Sequence, residues 1–80
     1  MNDDHLLARI EARPEVLGGK PVIRGTRLSA EFVVNLLAHG DTPAAILDEY
    51  SGLTDADIRA CLLFAKRAIE DLTFVPLSVS

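Results

Sequence analysis

The sequence predicts a mainly α protein, a three-helix, helix-turn-helix-like domain with a short N-terminal β-ribbon. Residues 29–72 carry three apolar stripes at spacings of three and four, each opened by a Ser or Thr suited to cap a helix. Residues 1–28 instead hold short alternating or β-branched pieces broken by glycine and proline. A chain of 80 residues makes one domain, divided into ribbon and turns (1–28), a three-helix unit (29–72) and an apolar tail (73–80).

Taken in order, residues 8–12 alternate in the manner of a half-buried strand, although Leu6-Leu7 blurs its start. Pro14 to Leu17 suits one helical turn ended by Gly18-Gly19. Val22-Ile23-Arg24 and Arg27-Leu28-Ser29 read as two extended pieces joined at Gly25-Thr26, with glycine at the first central position of a type II′ hairpin turn. The first helix spans about 30–39: Ser29 caps it, Phe32, Val33, Leu36 and Leu37 share a stripe, and Gly40 stops it. Thr42-Pro43 opens a second helix over about 43–50, since proline at the first helical position forfeits no hydrogen bond. After the Ser51-Gly52-Leu53 turn, Thr54 caps a third helix over about 55–71, with Asp55 and Asp57 placed where the helix dipole favours negative charge.

On that third helix, Ile58, Cys61, Leu62, Ala65, Ile69 and Leu72 define the stripe expected to be buried. Leu63 falls off it, among Arg59, Lys66, Arg67 and Glu70. It reads either as an isolated exposed leucine or as a contact for a dimer mate or other partner. The tail from Thr73 to Val79 is uncharged and apolar, so Phe74, Val75 and Leu77 are further candidates for partner contact, as an edge strand or a bound arm.

Composition narrows the function. A domain of this size buries only about 60 to 65% of its unfolded surface, and with one cysteine it has no intrachain disulfide. No CxxC, HExxH or paired His/Cys spacing exists, so neither a metal nor a cofactor is expected. Self-association is then the ready way to cover 49% hydrophobic residues, and a homodimer is expected. No membrane span or basic leader is visible, which reads as a cytoplasmic protein. Catalysis finds little footing. His5 lies in the terminal segment, His39 sits at a helix end, Cys61 falls on the buried stripe, and the carboxylates suit caps and solvent. No enzyme activity is expected.

The net charge of -4 argues against a general nucleic-acid coating protein, yet it is unevenly spread. Residues 9–27 hold five cations against two acids, whereas residues 28–80 hold three cations against eight acids. Arg24 and Arg27, flanking a two-residue turn, would face each other at a cost of several tenths of a kcal/mol unless something compensates them. A phosphate does so well, because the arginine fork matches its oxygens and glycine lets backbone approach. Lys20 adds a third charge and Thr26 a hydroxyl. An ion pair with carboxylates of the helical half is the alternative. This is not a Walker loop, since Gly19-Lys20 is followed by proline. Helices two and three have the length and turn chemistry of a helix-turn-helix, but Asp55 and Asp57 stand where such a unit meets the bases. DNA contact is therefore expected on the basic ribbon, with Arg59 of the third helix in a supporting role.

The run from Pro14 to Leu28, PEVLGGKPVIRGTRL, followed by Tyr50-Ser51-Gly52-Leu53-Thr54, resembles the domain of unknown function 433 family over residues from about 10 to 70. The family usually has an acidic residue where Arg13 stands and a proline where Ser51 stands. The resemblance implies a small helix-turn-helix-like domain, often encoded beside a PIN-like ribonuclease and inferred to be the antitoxin of that pair. The expected function is thus an antitoxin or transcriptional regulator that binds operator DNA through the basic ribbon. The alternative is a protein-interaction module that occupies a basic ribonuclease surface without binding DNA.

Overall fold

The computed structural model describes residues 2–72. Over these the chain forms helix α1 (Asp3–Leu7), strand β1 (Ile10–Ala12), one 3-10 turn (Leu17–Gly19), strand β2 (Pro21–Ile23) and helices α2 (Ala30–Ala38), α3 (Pro43–Glu49) and α4 (Asp55–Glu70). The result is a mainly helical domain with a two-stranded antiparallel sheet.

The predicted helices stand within a residue or so of their expected bounds because their caps form. Ser29 Oγ accepts from Phe32 N, Thr42 Oγ1 from Ala45 N, and Pro43 takes the first helical position. At α4, Thr54 and Asp57 make a reciprocal capping box, each side chain accepting from the other's backbone N–H. The core gathers Ile23, Ala30, Val33, Ile46, Leu53, Ile58 and Cys61, ringed by half-buried side chains that include Ile10, Leu28 and Phe64. Phe32 meets Tyr50 edge to face at 5.9 Å.

Several expectations need correction. There are four α-helices among the described residues and not three: Asn2 caps α1 by accepting from His5 N, and α1 packs along α4, where Arg67 reaches Asp3 at 3.5 Å. β2 pairs with β1, in the register Ile10 to Ile23 and Ala12 to Pro21. The expected hairpin partner, Arg27–Ser29, contributes only an isolated bridge between Val22 and Ser29. On the edge of β2 away from β1, Ile23 N donates to Leu28 O, but Ile23 O is engaged by Thr26 N and Thr26 Oγ1, so the second pairing stops there. Where one helical turn is expected at Pro14–Leu17, a single turn forms with Val16 N donating to Arg13 O at 3.0 Å, and a 3-10 turn follows at Leu17–Gly19, where Leu17 (φ 48°), Gly18 (65°) and Gly19 (87°) are successively left-handed. For Leu17 that conformation is strained by about 1 kcal/mol or more.

The buried side of α4 is also turned from the expected one. Ile58 and Cys61 are buried as expected, but they are joined by Asp57 and Ala60, while Leu62, Ile69 and Leu72 remain 47%, 66% and 70% exposed. Leu63 is half-buried, three residues from buried Ala60 and four from Arg67, which pairs with Asp3 of α1. It is not the fully exposed leucine expected. Phe74, Val75 and Leu77 lie outside the described residues.

Candidate nucleic-acid interface

The basic stretch folds as a turn bolted to the core at both ends. Val22 and Ile23 are buried, Ile23 N donates to Leu28 O at 2.9 Å, and Thr26 N donates to Ile23 O at 3.0 Å. Gly25 therefore occupies the second central position of the Ile23–Thr26 turn, one place later than expected, with the positive φ of 79° that favours glycine there. Thr26 is consumed by this turn. Its Oγ1 donates to Ile23 O at 2.8 Å and accepts from Leu28 N at 3.0 Å, so the hydroxyl expected to meet phosphate shapes the loop instead.

Arg24 and Arg27 project from the turn as exposed side chains. Among the described residues neither has a carboxylate within 4 Å. Each of the other six cations does: Arg9 with Asp57 at 3.1 Å, Arg13 with Glu11 at 3.4 Å, Lys20 with Glu31 at 3.1 Å, Arg59 with Asp55 at 2.7 Å, Lys66 with Glu70 at 2.9 Å and Arg67 with Asp3 at 3.5 Å. In an acidic chain, the two cations left uncompensated are three residues apart on one rigid turn. The turn shift also removes the strict cross-strand opposition expected of them, since Arg24 is inside the turn and Arg27 just beyond it.

Of the other expected contacts, Lys20 and Arg59 are each neutralised within the chain. Both of their pairs are exposed, so each contributes about 1 kcal/mol or less and is readily exchanged for a stronger anion. Arg24 faces a shallow concavity shared with His5, Ala8, Arg9, Gly52, Thr54 and Asp57, and Arg27 faces another shared with Arg13, Glu15, Val16, Gly25 and Thr26. Arg9 and Arg13 are not among the site residues that the sequence suggests. The structure sets one beside each free arginine, through pairing across β1 and β2 that no local spacing announces.

The acids at the start of α4 prove less hostile to phosphate than their positions suggest. Asp57 is turned inward and buried, with Oδ1 accepting from Arg9 and Oδ2 from Thr54 N at 2.9 Å and Thr54 Oγ1 at 3.2 Å. Asp55 is matched by Arg59.

Nucleophilic chemistry is poorly served. Cys61 is fully buried, and that burial, with the Asp57 charge adding to it, pushes its thiol up to about 12. His39 Nδ1 lies 2.8 Å from Asn35 O at the end of α2, a helix-terminus contact.

Residues 10–65 match the model of a family described as Protein of unknown function (DUF433). The chain belongs to the DUF433 family. This DUF433 chain is 33% identical over 66 residues to "Uncharacterized protein y4eO" of Sinorhizobium fredii, a match that covers 80% of this chain and 30% of that protein. It is also similar to the crystal structure of a DUF433 member protein from Anabaena variabilis, with a TM-score of 0.75 and 30% identity over 84% of this chain and 66% of that one. It thus spans less than a third of the curated relative it matches and about two thirds of the solved chain. No described helix is long and apolar enough to cross a membrane.

Proposed function

We propose that this DUF433 protein is an antitoxin or transcriptional regulator that binds DNA through the Arg24–Arg27 turn. One observation carries the reading: in a chain of net charge -4, the arginines without an internal carboxylate partner among the described residues sit together on one stiff, exposed turn. An uncompensated guanidinium pair is unfavourable alone and becomes favourable against a polyanion, because each phosphate contact releases condensed counterions. The α3–turn–α4 segment acts in this reading as a helix-turn-helix unit beside the ribbon. The inward turn of Asp57 supports that role. The antitoxin part, with a PIN-like ribonuclease as toxin, rests on the family resemblance. A cytoplasmic homodimer completes the reading, and the exposed Leu62, Ile69 and Leu72 supply an apolar stripe suited to self-association or to the toxin.

The test is the salt dependence of binding to duplex DNA from the chain's own upstream region. Arg24→Ala and Arg27→Ala should each weaken binding on all sequences and flatten the slope of log K against log salt by roughly 0.9, the value for one lost phosphate contact. Unchanged affinity and slope in the double variant would remove the turn from the interface. The second reading, a ribonuclease-binding module without DNA affinity, is favoured by Asp41, Asp48 and Glu49. These are exposed on and before α3, with no cation within 4 Å among the described residues. Specific binding at physiological salt supports the regulator; binding only at low salt and without specificity supports the module.

A further inference from the structure

Arg9 gives the arginine turn a neighbour that the proposal above does not use. Arg24 N donates to Arg9 O at 2.8 Å, so the two backbones are locked side by side and both side chains line one concavity. Arg9 is half-exposed, and Asp57 holds it from within through a single contact, Nη1 to Oδ1 at 3.1 Å. The other oxygen of Asp57 is taken up by the Thr54 N–H and hydroxyl. A guanidinium carries five N–H donors in a fixed fork. The carboxylate occupies one of them. No other side-chain hydrogen bond of Arg9 forms among the described residues. Two guanidinium charges and one carboxylate leave the cup one unit positive, and a single phosphodiester makes it neutral.

We infer that Arg9 is a second nucleic-acid contact: Arg9 and Arg24 take one backbone phosphate between them in this cup, with Asp57 as the residue that positions Arg9. The inference rests on the turn facing a polyanion. It adds a contact from the edge of β1, beside the first residues of the α3–α4 turn and helix, and so joins ribbon and helical unit into one surface.

The test avoids stripping Arg9 from buried Asp57. Arg9→Lys keeps the ion pair but replaces the fork by a point charge, which cannot serve two anions in fixed geometry. Ala8→Glu places a carboxylate at the rim of the cup on an exposed position, and Asn35→Glu adds the same charge on exposed α2 as a control. With melting temperatures checked for all three, Arg9→Lys and Ala8→Glu should each weaken duplex binding about tenfold relative to Asn35→Glu at low salt. Binding by Arg9→Lys equal to wild type overturns the inference whatever Ala8→Glu does. If Arg24→Ala still weakens binding in that case, the turn remains a contact and only the shared phosphate is lost; if Arg24→Ala and Arg27→Ala are also without effect, the underlying proposal falls. Inorganic phosphate is the comparison arm: protection of Arg9 from arginine-specific modification by phosphate at matched ionic strength, with none by DNA, marks a free-anion site and also overturns the inference.

Discussion

Replacing Asp57 by alanine removes three interactions at the start of the longest helix: the Thr54 N–H at 2.9 Å, the Thr54 hydroxyl at 3.2 Å and Arg9 Nη1 at 3.1 Å. Its half of the capping box is worth about 1 kcal/mol. The ion pair, with a buried carboxylate and a half-exposed guanidinium, is worth about 1 to 2 kcal/mol, more than a surface pair and less than a fully buried one. Together they amount to about 2 to 3 kcal/mol, against a total stability of about 4 to 12 kcal/mol for a domain of this length. At roughly 4 to 8 °C per kcal/mol, Asp57→Ala should lower the melting temperature by about 10 to 20 °C. Asp57→Asn keeps an acceptor for the Thr54 N–H and loses the charge, so a drop of about 5 to 10 °C is expected. Thermal denaturation followed by circular dichroism at constant pH and salt measures both. A shift under about 3 °C for Asp57→Ala would refute the packing argument, and equal shifts for the two variants would show that charge and not capping carries the effect.

Other consequences are as concrete. Thr26→Val, which keeps shape and removes the hydroxyl, should cost about 1 to 2 kcal/mol in urea denaturation, because one oxygen makes two hydrogen bonds across the turn. Gly25→Ala forces a side chain into φ 79° and should cost about 1 kcal/mol although no atom crowds the position, so a gain in stability would contradict the turn geometry. A double-mutant cycle on Lys20 and Glu31 should return less than about 1 kcal/mol, as befits an exposed pair. Native Cys61 should resist thiol reagents at pH 8 and react only as fast as the chain opens. Its folded thiol holds its proton up to about 12, against an ordinary 9.0. Its contribution to stability is therefore complete below pH 9 and is lost as pH rises from 9 towards 12, which pH-dependent melting of wild type against Cys61→Ala will show.

The helical half was legible because its signals are local. A hydroxyl cap, a proline at the first helical position and glycine at the stop act over four residues, so α2, α3 and α4 stand nearly where the pattern placed them. The ribbon was legible in its extended pieces, since β1 lies within the expected 8–12, but not in its pairing, because strand pairing is decided by partners far along the chain. Val22 and Ile23 were recognisable as extended, yet their mate is Ile10–Ala12 across the Leu17–Gly19 turn, and the adjacent Arg27–Ser29 keeps a single bridge. The same cause hid Arg9 and Arg13 as neighbours of the free arginines. On α4 the apolar spacing was real, but periodicity cannot say which side another element covers. α1, a five-residue helix too short to announce itself, packs against α4, while Leu62, Ile69 and Leu72 stay exposed. The charge contrast between residues 9–27 and the rest survived folding in sharper form than composition suggested. Spacing alone could find the i, i+4 pairs of Arg59 with Asp55 and Lys66 with Glu70, but the partners of Arg9, Lys20 and Arg67, and the lack of one for Arg24 and Arg27 among the described residues, come from the coordinates.

If the guanidinium groups of Arg24 and Arg27 meet nucleic-acid phosphate, the arginine Nε–Hε signals in an NMR titration report on each directly. Added duplex DNA at physiological salt should move and sharpen the Arg24 and Arg27 signals, while Arg67, tied to Asp3 on α1, stays in place. Arg24 and Arg27 signals that hold still while others respond, or a spectrum indifferent to DNA at low salt, would contradict the proposed contact.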